Sequence, residues 1–184
     1  MESWSHGVIM KYSAIFLILL LVSCTNAAAH KKDSYISKID FDVPAGEYEQ
    51  FQLSTWDQGA NECIEFSLNK PYNNTRWLAS VMLYIKGESK DLSKIILHTE
   101  HKDSKSLLME FEGGHKEEQV FGRAIKFGEA VKFKASFPND HTIKVTLSNS
   151  EFVFPVDYKI QSLLIGTSSA NATIKLFDTS LCNQ

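Results

Sequence analysis

The chain has 184 residues, 43% hydrophobic and 22% charged, with 19 Lys and Arg against 22 Asp and Glu and a net charge of −3. That length supports one domain with a real core, and the composition excludes a disordered chain. Small net charge with both signs interspersed excludes the basic patch that nucleic acid or an anionic membrane surface would select, so no nucleic-acid partner is expected.

Met10-Lys11 precedes an apolar run from Ala14 to Val22, and the small residues Ala27-Ala28-Ala29 follow. The run is shorter than the ~20 residues that span a bilayer. A basic start, a short apolar segment and small residues at a cleavage point make a secretory signal peptide. Residues 1–29 are read as that signal, cleaved near Ala28 or Ala29, with Met10 as an alternative start. Residues 30–184 are read as one secreted domain with no membrane span. Leu21-Val22-Ser23-Cys24 also fits a bacterial lipoprotein signal, in which Cys24 would carry lipid and anchor the chain.

Tyr35, Ile36, Ile39, Phe41 and Val43 alternate imperfectly and predict an edge strand. Pro44-Ala45-Gly46 turns the chain, and extended structure resumes from Glu47 to Leu53. Cys63 to Leu68 alternates again, and Asn69 to Thr75 reads as a polar loop around Pro71. Val81 to Ile85 is the next strand, so the stretch from Leu53 to Val81 reads as a local elaboration with its own strand or hairpin. Ser93 to Glu100, Ser106 to Phe111 and Glu117 to Phe121 follow as strands, separated by turns at Asp103 to Lys105 and at Gly113-Gly114.

The plainest pattern comes last. Val131, Phe133, Ala135 and Phe137 alternate with Lys132, Lys134 and Ser136, and Pro138-Asn139-Asp140-His141 breaks the run. Ile143, Val145 and Leu147 alternate with polar neighbours, Ser148-Asn149-Ser150 turns, and Glu151 to Pro155 extends. Gln161 to Gly166 and Ala172 to Phe177 complete the set. Period-two alternation with polar turns predicts half-buried antiparallel strands, because an apolar set at i, i+2 and i+4 would scatter around a helix. The fold class is therefore all-β, a sandwich or jelly roll of two antiparallel sheets.

The order and spacing of Phe127-Gly128, Val131-Lys132-Phe133, Ile143-Lys144-Val145, Phe152-Val153-Phe154-Pro155, Ile160-Gln161-Ser162-Leu163, Gly166 and Ile174-Lys175-Leu176 resemble the C-terminal half of a galectin. The resemblance extends upstream through Ile95-Ile96-Leu97-His98 and Val81-Met82-Leu83-Tyr84-Ile85 to Pro44-Ala45-Gly46. It implies a galectin-like jelly roll and a lectin that binds β-galactosides. In galectins the sugar site lies on three adjacent strands carrying His-x-Asn-x-Arg, Val-x-Asn and Trp-x-x-Glu-x-Arg, with the Trp stacked on the apolar face of galactose.

Carried over residue by residue, the resemblance keeps His98 but puts Glu100 at the Asn position and Lys102 at the Arg position. Glu110 falls at the second Asn. Counting back from Gly128 puts the Trp position at Gly114, the Glu at Glu117 and the last Arg at Gln119; a gap would bring His115 to the Trp position. Lys lacks the planar fork of Arg, and an ionised Glu accepts hydrogen bonds where Asn also donates. The expected carbohydrate-binding residues are thus His98, Glu100, Lys102, Glu110 and Glu117. The function they imply is a secreted lectin that binds glycans or glycoproteins with altered or weak specificity. The alternative is a galectin-fold protein without sugar binding that works through protein contacts.

No cofactor, metal or enzymatic role is expected. His98 and His101 sit at odd spacing on a strand and point to opposite faces. Glu110, Glu112, Glu117 and Glu118 could form a glycosidase-like carboxylate pair, and glycan hydrolysis is the third and weakest reading, but they cluster beside a turn, where most such groups are solvated, and no nucleophile elbow or phosphate loop is present. Of three cysteines, Cys24 leaves with the signal, so Cys63 and Cys182 are expected to pair in an oxidising compartment. Asn73 and Asn171 head glycosylation sequons. Trp56 and Trp77 are expected to pack in the core or between sheets, or one of them to supply a replacement stacking ring.

Overall fold

The computed structural model describes residues 35–55, 61–72, 77–88, 91–113, 119–121 and 124–182. The expected signal segment 1–29 with Cys24, and Trp56 and Asn73, lie outside the described residues. Within Tyr35–Gln184, one compact unit, the described residues form two six-stranded antiparallel sheets. No helix among them is long and apolar enough to cross a membrane.

The first sheet has the order β1 (Tyr35–Asp42), β12 (Ala170–Phe177), β3 (Asn61–Pro71), β8 (Val131–Asn139), β9 (Thr142–Leu147), β10 (Ser150–Pro155). The second has the order β2 (Tyr48–Thr55), β11 (Ser162–Ser168), β4 (Ser80–Lys86), β5 (Leu92–His98), β6 (Leu108–Glu112), β7 (Gln119–Val120). The alternating residues of the sequence supply the core. Val131, Phe133, Ala135 and Phe137 of β8 and Ile143 and Val145 of β9 turn inward against Val81, Leu83 and Ile85 of β4 and Ile95 and Leu97 of β5. Each Val, Leu, Ile or Phe among them contributes about 1.5–3 kcal/mol when fully buried. Phe111 of β6 stacks on Phe154 of β10 with ring centroids 3.9 Å apart, joining one layer to the other.

Consecutive strands β11 and β12 belong to different sheets, and Ser169 alone connects them. Its backbone is left-handed, φ +47°, and it is fully buried. Its hydroxyl accepts the Gly46 N–H at 3.0 Å, its carbonyl accepts the Tyr72 N–H at 2.7 Å, and its own N–H donates to the Glu47 carbonyl at 3.3 Å. At the opposite end of the first sheet, Cys63 of β3 is bridged to Cys182, just past a 3₁₀ turn at Thr179–Leu181, with the Cα atoms 5.5 Å apart. The expected disulfide is present.

Several boundaries differ from the sequence reading. β3 runs on to Pro71 and is not part of an elaboration: it is a central strand between β12 and β8. A register shift opposite Asn171 and Ala172 lets the polar end of β3 stay in the sheet. β8 does not break at Pro138 but continues to Asn139, with its pairing to β9 irregular between Ser136 and Asn139. Proline lacks an N–H and is accommodated at such irregularities. Trp77 is not in the core; it is 47% exposed, because it lies just ahead of β4 where the sheet begins.

Candidate functional site

Pairing register decides which side chains share the outer face of the second sheet. β5 turns Ser93, Ile95 and Leu97 inward, which leaves Lys94, Ile96 and His98 outward; β6 turns Met109 and Phe111 inward and Leu108, Glu110 and Glu112 outward. Lys94 stands directly opposite Glu112, and the two form an ion pair. His98 stands opposite Leu108 and reaches diagonally to Glu110. Its Nε2 lies 2.7 Å from Glu110 Oε1, with the side chains 13% and 9% exposed. The ring is held from its other side, where Nδ1 is 3.0 Å from the Thr99 carbonyl. A carbonyl only accepts, so Nδ1 is the donor. Nε2 is close to the carboxylate but off the line of a hydrogen bond.

The same face continues across β4, β11 and β2. β4 contributes Ser80, Met82, Tyr84 and Lys86; β11 contributes Ser162, Leu164, Gly166 and Ser168; β2 contributes Tyr48, Gln50 and Gln52. Met82 and Ile96 are buried between the polar groups. Ser80 Oγ and Ser168 Oγ are 2.8 Å apart. Tyr48 meets Tyr84 edge to face, ring centroids 6.1 Å apart. Burial raises the pKa of the Tyr84 phenol strongly, with the Tyr48 hydroxyl beside it adding to the shift, and burial raises Tyr48 more modestly.

Of the five residues expected at the site, the structure brings together His98 and Glu110. Glu100 and Lys102 are not on β5, as the alternation predicted: the strand ends at His98, and both are exposed in the connection that follows. The reason is a tight turn in which the Ser104 N–H donates to the His101 carbonyl at 3.1 Å and the His101 N–H donates to Ser104 Oγ at 2.9 Å. Glu117, and with it His115, lies outside the described residues. Gln119 begins β7, in register with Phe111 and not with Glu110.

Asn171 lies on the outer face of the other sheet. Its Nδ2 donates to Asp42 Oδ1 at 3.3 Å, and its Oδ1 accepts from Asn69 Nδ2 at 3.1 Å. The Tyr72 hydroxyl and then the Asn171 amide lower the pKa of the Asp42 carboxyl. A cleft of about 360 Å³ lies elsewhere, lined by Phe121, Ile125, Leu147 and Phe152, and includes neither His98 nor Glu110. No group of side chains suited to a metal ion occurs among the described residues.

Tyr48 and Tyr84 are the face residues that sequence reasoning missed. The one signal for them is Gly166, a glycine in the middle of a strand.

Neither a protein family nor a curated protein matches the sequence. Among solved structures the chain is similar to galectin LEC-6 of Caenorhabditis elegans, with 8% identity, TM-score 0.47, and coverage of 79% of this chain and 99% of that one. It is similar to chicken Galectin 2, with 18% identity, TM-score 0.44, and coverage of 69% and 96%. An alginate lyase from Alteromonas sp. 272 is similar at 10% identity and TM-score 0.48, with coverage of 65% and 70%. The description of the fold rests on strand order and register.

Proposed function

We propose that this protein is a secreted, galectin-like lectin whose specificity is altered from ordinary β-galactoside binding, and that it works by binding and not by catalysis. The observation that carries the reading is the His98–Glu110 pair. The residue that the sequence resemblance assigns to a sugar hydroxyl has its Nε2 turned onto a carboxylate 2.7 Å away on the neighbouring strand. A ligand approaching His98 therefore meets carboxylate oxygens, which only accept, where an Asn would also donate. Glu110 selects for ligands that present hydroxyl or ammonium donors and against sialylated or sulfated ones. The disulfide suits an oxidising compartment and supports secretion.

Glycan-array screening of the mature chain, followed by calorimetric titration of lactose on the wild type and on His98→Ala, tests the reading. Lactose should bind far more weakly than the low-micromolar range, while at least one neutral glycan binds the array. Low-micromolar lactose binding abolished by His98→Ala would restore the ordinary galectin assignment.

A second reading, action through protein contacts, is favoured by one observation. The outer strand of each sheet exposes large apolar groups: Tyr35 and Ile36 on β1 and Phe51 on β2, 44%, 73% and 45% exposed. Phe51 and Phe41 meet at 5.6 Å between ring centroids, so the two strands lie on one side of the sandwich. A concentration-dependent sedimentation coefficient removed by Ile36→Lys would support this reading.

A further inference from the structure

Gly166 stands between Ile165 and Thr167, both fully buried on the inner side of β11. A glycine inside a strand loses packing and stiffness, and it is found where another group must come close. Here the group is Tyr48. A Cβ on Gly166 would lie 3.1 Å from the Tyr48 hydroxyl, 3.2 Å from its Cε2 and 2.9 Å from the Glu49 carbonyl oxygen. Tyr48 pairs in register with Ser168, two residues along the strand. Its side chain therefore leans along the sheet over the bare backbone of Gly166 and meets Tyr84 of β4 at an interplanar angle of 87°. Tyr84 backs the arrangement from the far side of β11. The Tyr48 hydroxyl is fixed by donating to Gln50 Oε1 at 2.7 Å, yet the residue stays 43% exposed.

We propose that Tyr48, leaning over Gly166 and braced by Tyr84, is the stacking platform on which this face takes a hexopyranose unit of a neutral oligosaccharide. The inference rests on the glycan-binding reading above and adds where the sugar stacks. A pyranose ring has an apolar C–H face and an equatorial rim of hydroxyls. A fixed tyrosine covers the first at little conformational cost. The Gln50 and Gln52 amides beside it both donate and accept, as hydroxyls require. Farther along the same face, the Glu112 carboxylate is paired with the Lys94 ammonium. β2 and β5 are three strand spacings apart, roughly 14 Å. A chain of several sugars can therefore touch both Tyr48 and the His98–Glu110 pair, and a monosaccharide cannot.

The test uses the mature chain with ring-labelled tyrosine, titrated by NMR with neutral tetrasaccharides of β-linked galactose, β-linked glucose and α-linked mannose. The Tyr48 and Tyr84 ring signals should move in parallel with binding. Tyr48→Ala should weaken the tetrasaccharide that binds by about tenfold or more, a difference of ~1.4 kcal/mol. Tyr48→Phe keeps the ring and should stay within about threefold; it also controls for folding. Gly166→Ala should displace Tyr48 and weaken binding in the same direction. Binding that leaves both ring signals still and is untouched by Tyr48→Ala overturns the platform while leaving the lectin reading intact. No binding of any tetrasaccharide at about 10 mM overturns both, since that is weaker than ~3 kcal/mol of recognition.

Discussion

Removing one hydroxyl from Tyr158 should destabilise the sandwich without changing its shape. Tyr158 lies between β10 and β11, and its ring packs against Gly87 after β4: a Cβ at Gly87 would come within 2.3 Å of Tyr158 Cδ2. Its hydroxyl bridges Ser93 Oγ at 2.6 Å and the Ile85 carbonyl at 3.2 Å. Ser93 faces inward on β5 and is fully buried, so the bridge satisfies a polar group inside the core. Tyr158→Phe keeps the ring and opens no cavity. It forfeits about 1 kcal/mol of net hydrogen bonding and adds part of the ~1–3 kcal/mol cost of a stranded buried partner. The expected loss is about 1.5–3 kcal/mol, or about 3–12 °C in Tm for a domain of this size. Urea unfolding followed by far-ultraviolet dichroism should show the midpoint falling at constant m, since the exposed area is unchanged. The phenol also has a pH signature. Burial raises its pKa above the ordinary 10.0. Its contribution is therefore complete below the unfolded value and is lost as pH rises through the folded one, and Tyr158→Phe should remove that part of the alkaline loss. A midpoint within about 0.5 kcal/mol of wild type at unchanged m would refute the reasoning, because a buried hydroxyl bridge cannot be that cheap to delete.

Replacing Cys63 and Cys182 together by Ser should cost about 4–5 kcal/mol, since the bridge closes a loop with a sequence separation of 119; guanidinium unfolding with and without reductant measures it. Ser169→Val should cost about 2–4 kcal/mol, from a branched side chain at φ +47° and from the lost Gly46 contact, whereas Ser169→Gly should cost about 1 kcal/mol or less; thermal melts of the two variants distinguish backbone from side chain. The Lys38 ammonium and then the Thr173 hydroxyl lower the pKa of Asp40. Its small contribution is present above the unfolded pKa and disappears as pH falls through the folded one. Lys38→Met should move the Asp40 titration upward toward 3.8, as read by carboxyl-carbon NMR.

What the sequence announced well was the half of the sandwich in which alternation is strict. Val131 to Phe137 and Ile143 to Leu147 needed only period two to be placed as strands with their inward faces assigned. It announced β3 poorly, because Asn69, Lys70 and Pro71 carry turn chemistry that a register shift with β12 overrides. At the site, the odd and even positions of β5 and β6 put His98 and Glu110 on one face. The diagonal contact between them depends on strand pairing, which no local pattern encodes. Glu100 was misplaced because alternation says nothing of where a strand stops, and here a Ser104 turn stops it. Tyr48 and Tyr84 are 36 positions apart in a chain with 6 tyrosines, and only the bare Gly166 between their strands hints that one leans toward the other.

The corner at Ser169 has a consequence for motion. Pro44 to Glu47 carries the chain from the first layer to the second, Ser169 carries it back, and Tyr72 at the end of β3 is fastened to the same residue. With a single residue between β11 and β12, there is no slack for one layer to slide over the other. The amides of Gly46, Tyr72 and Ser169 are all bonded at this corner, so their hydrogen exchange should track global unfolding and not local fraying. A sheet face mounted on such a corner keeps the spacing of its strands, so the site proposed on it would meet a ligand as a rigid template.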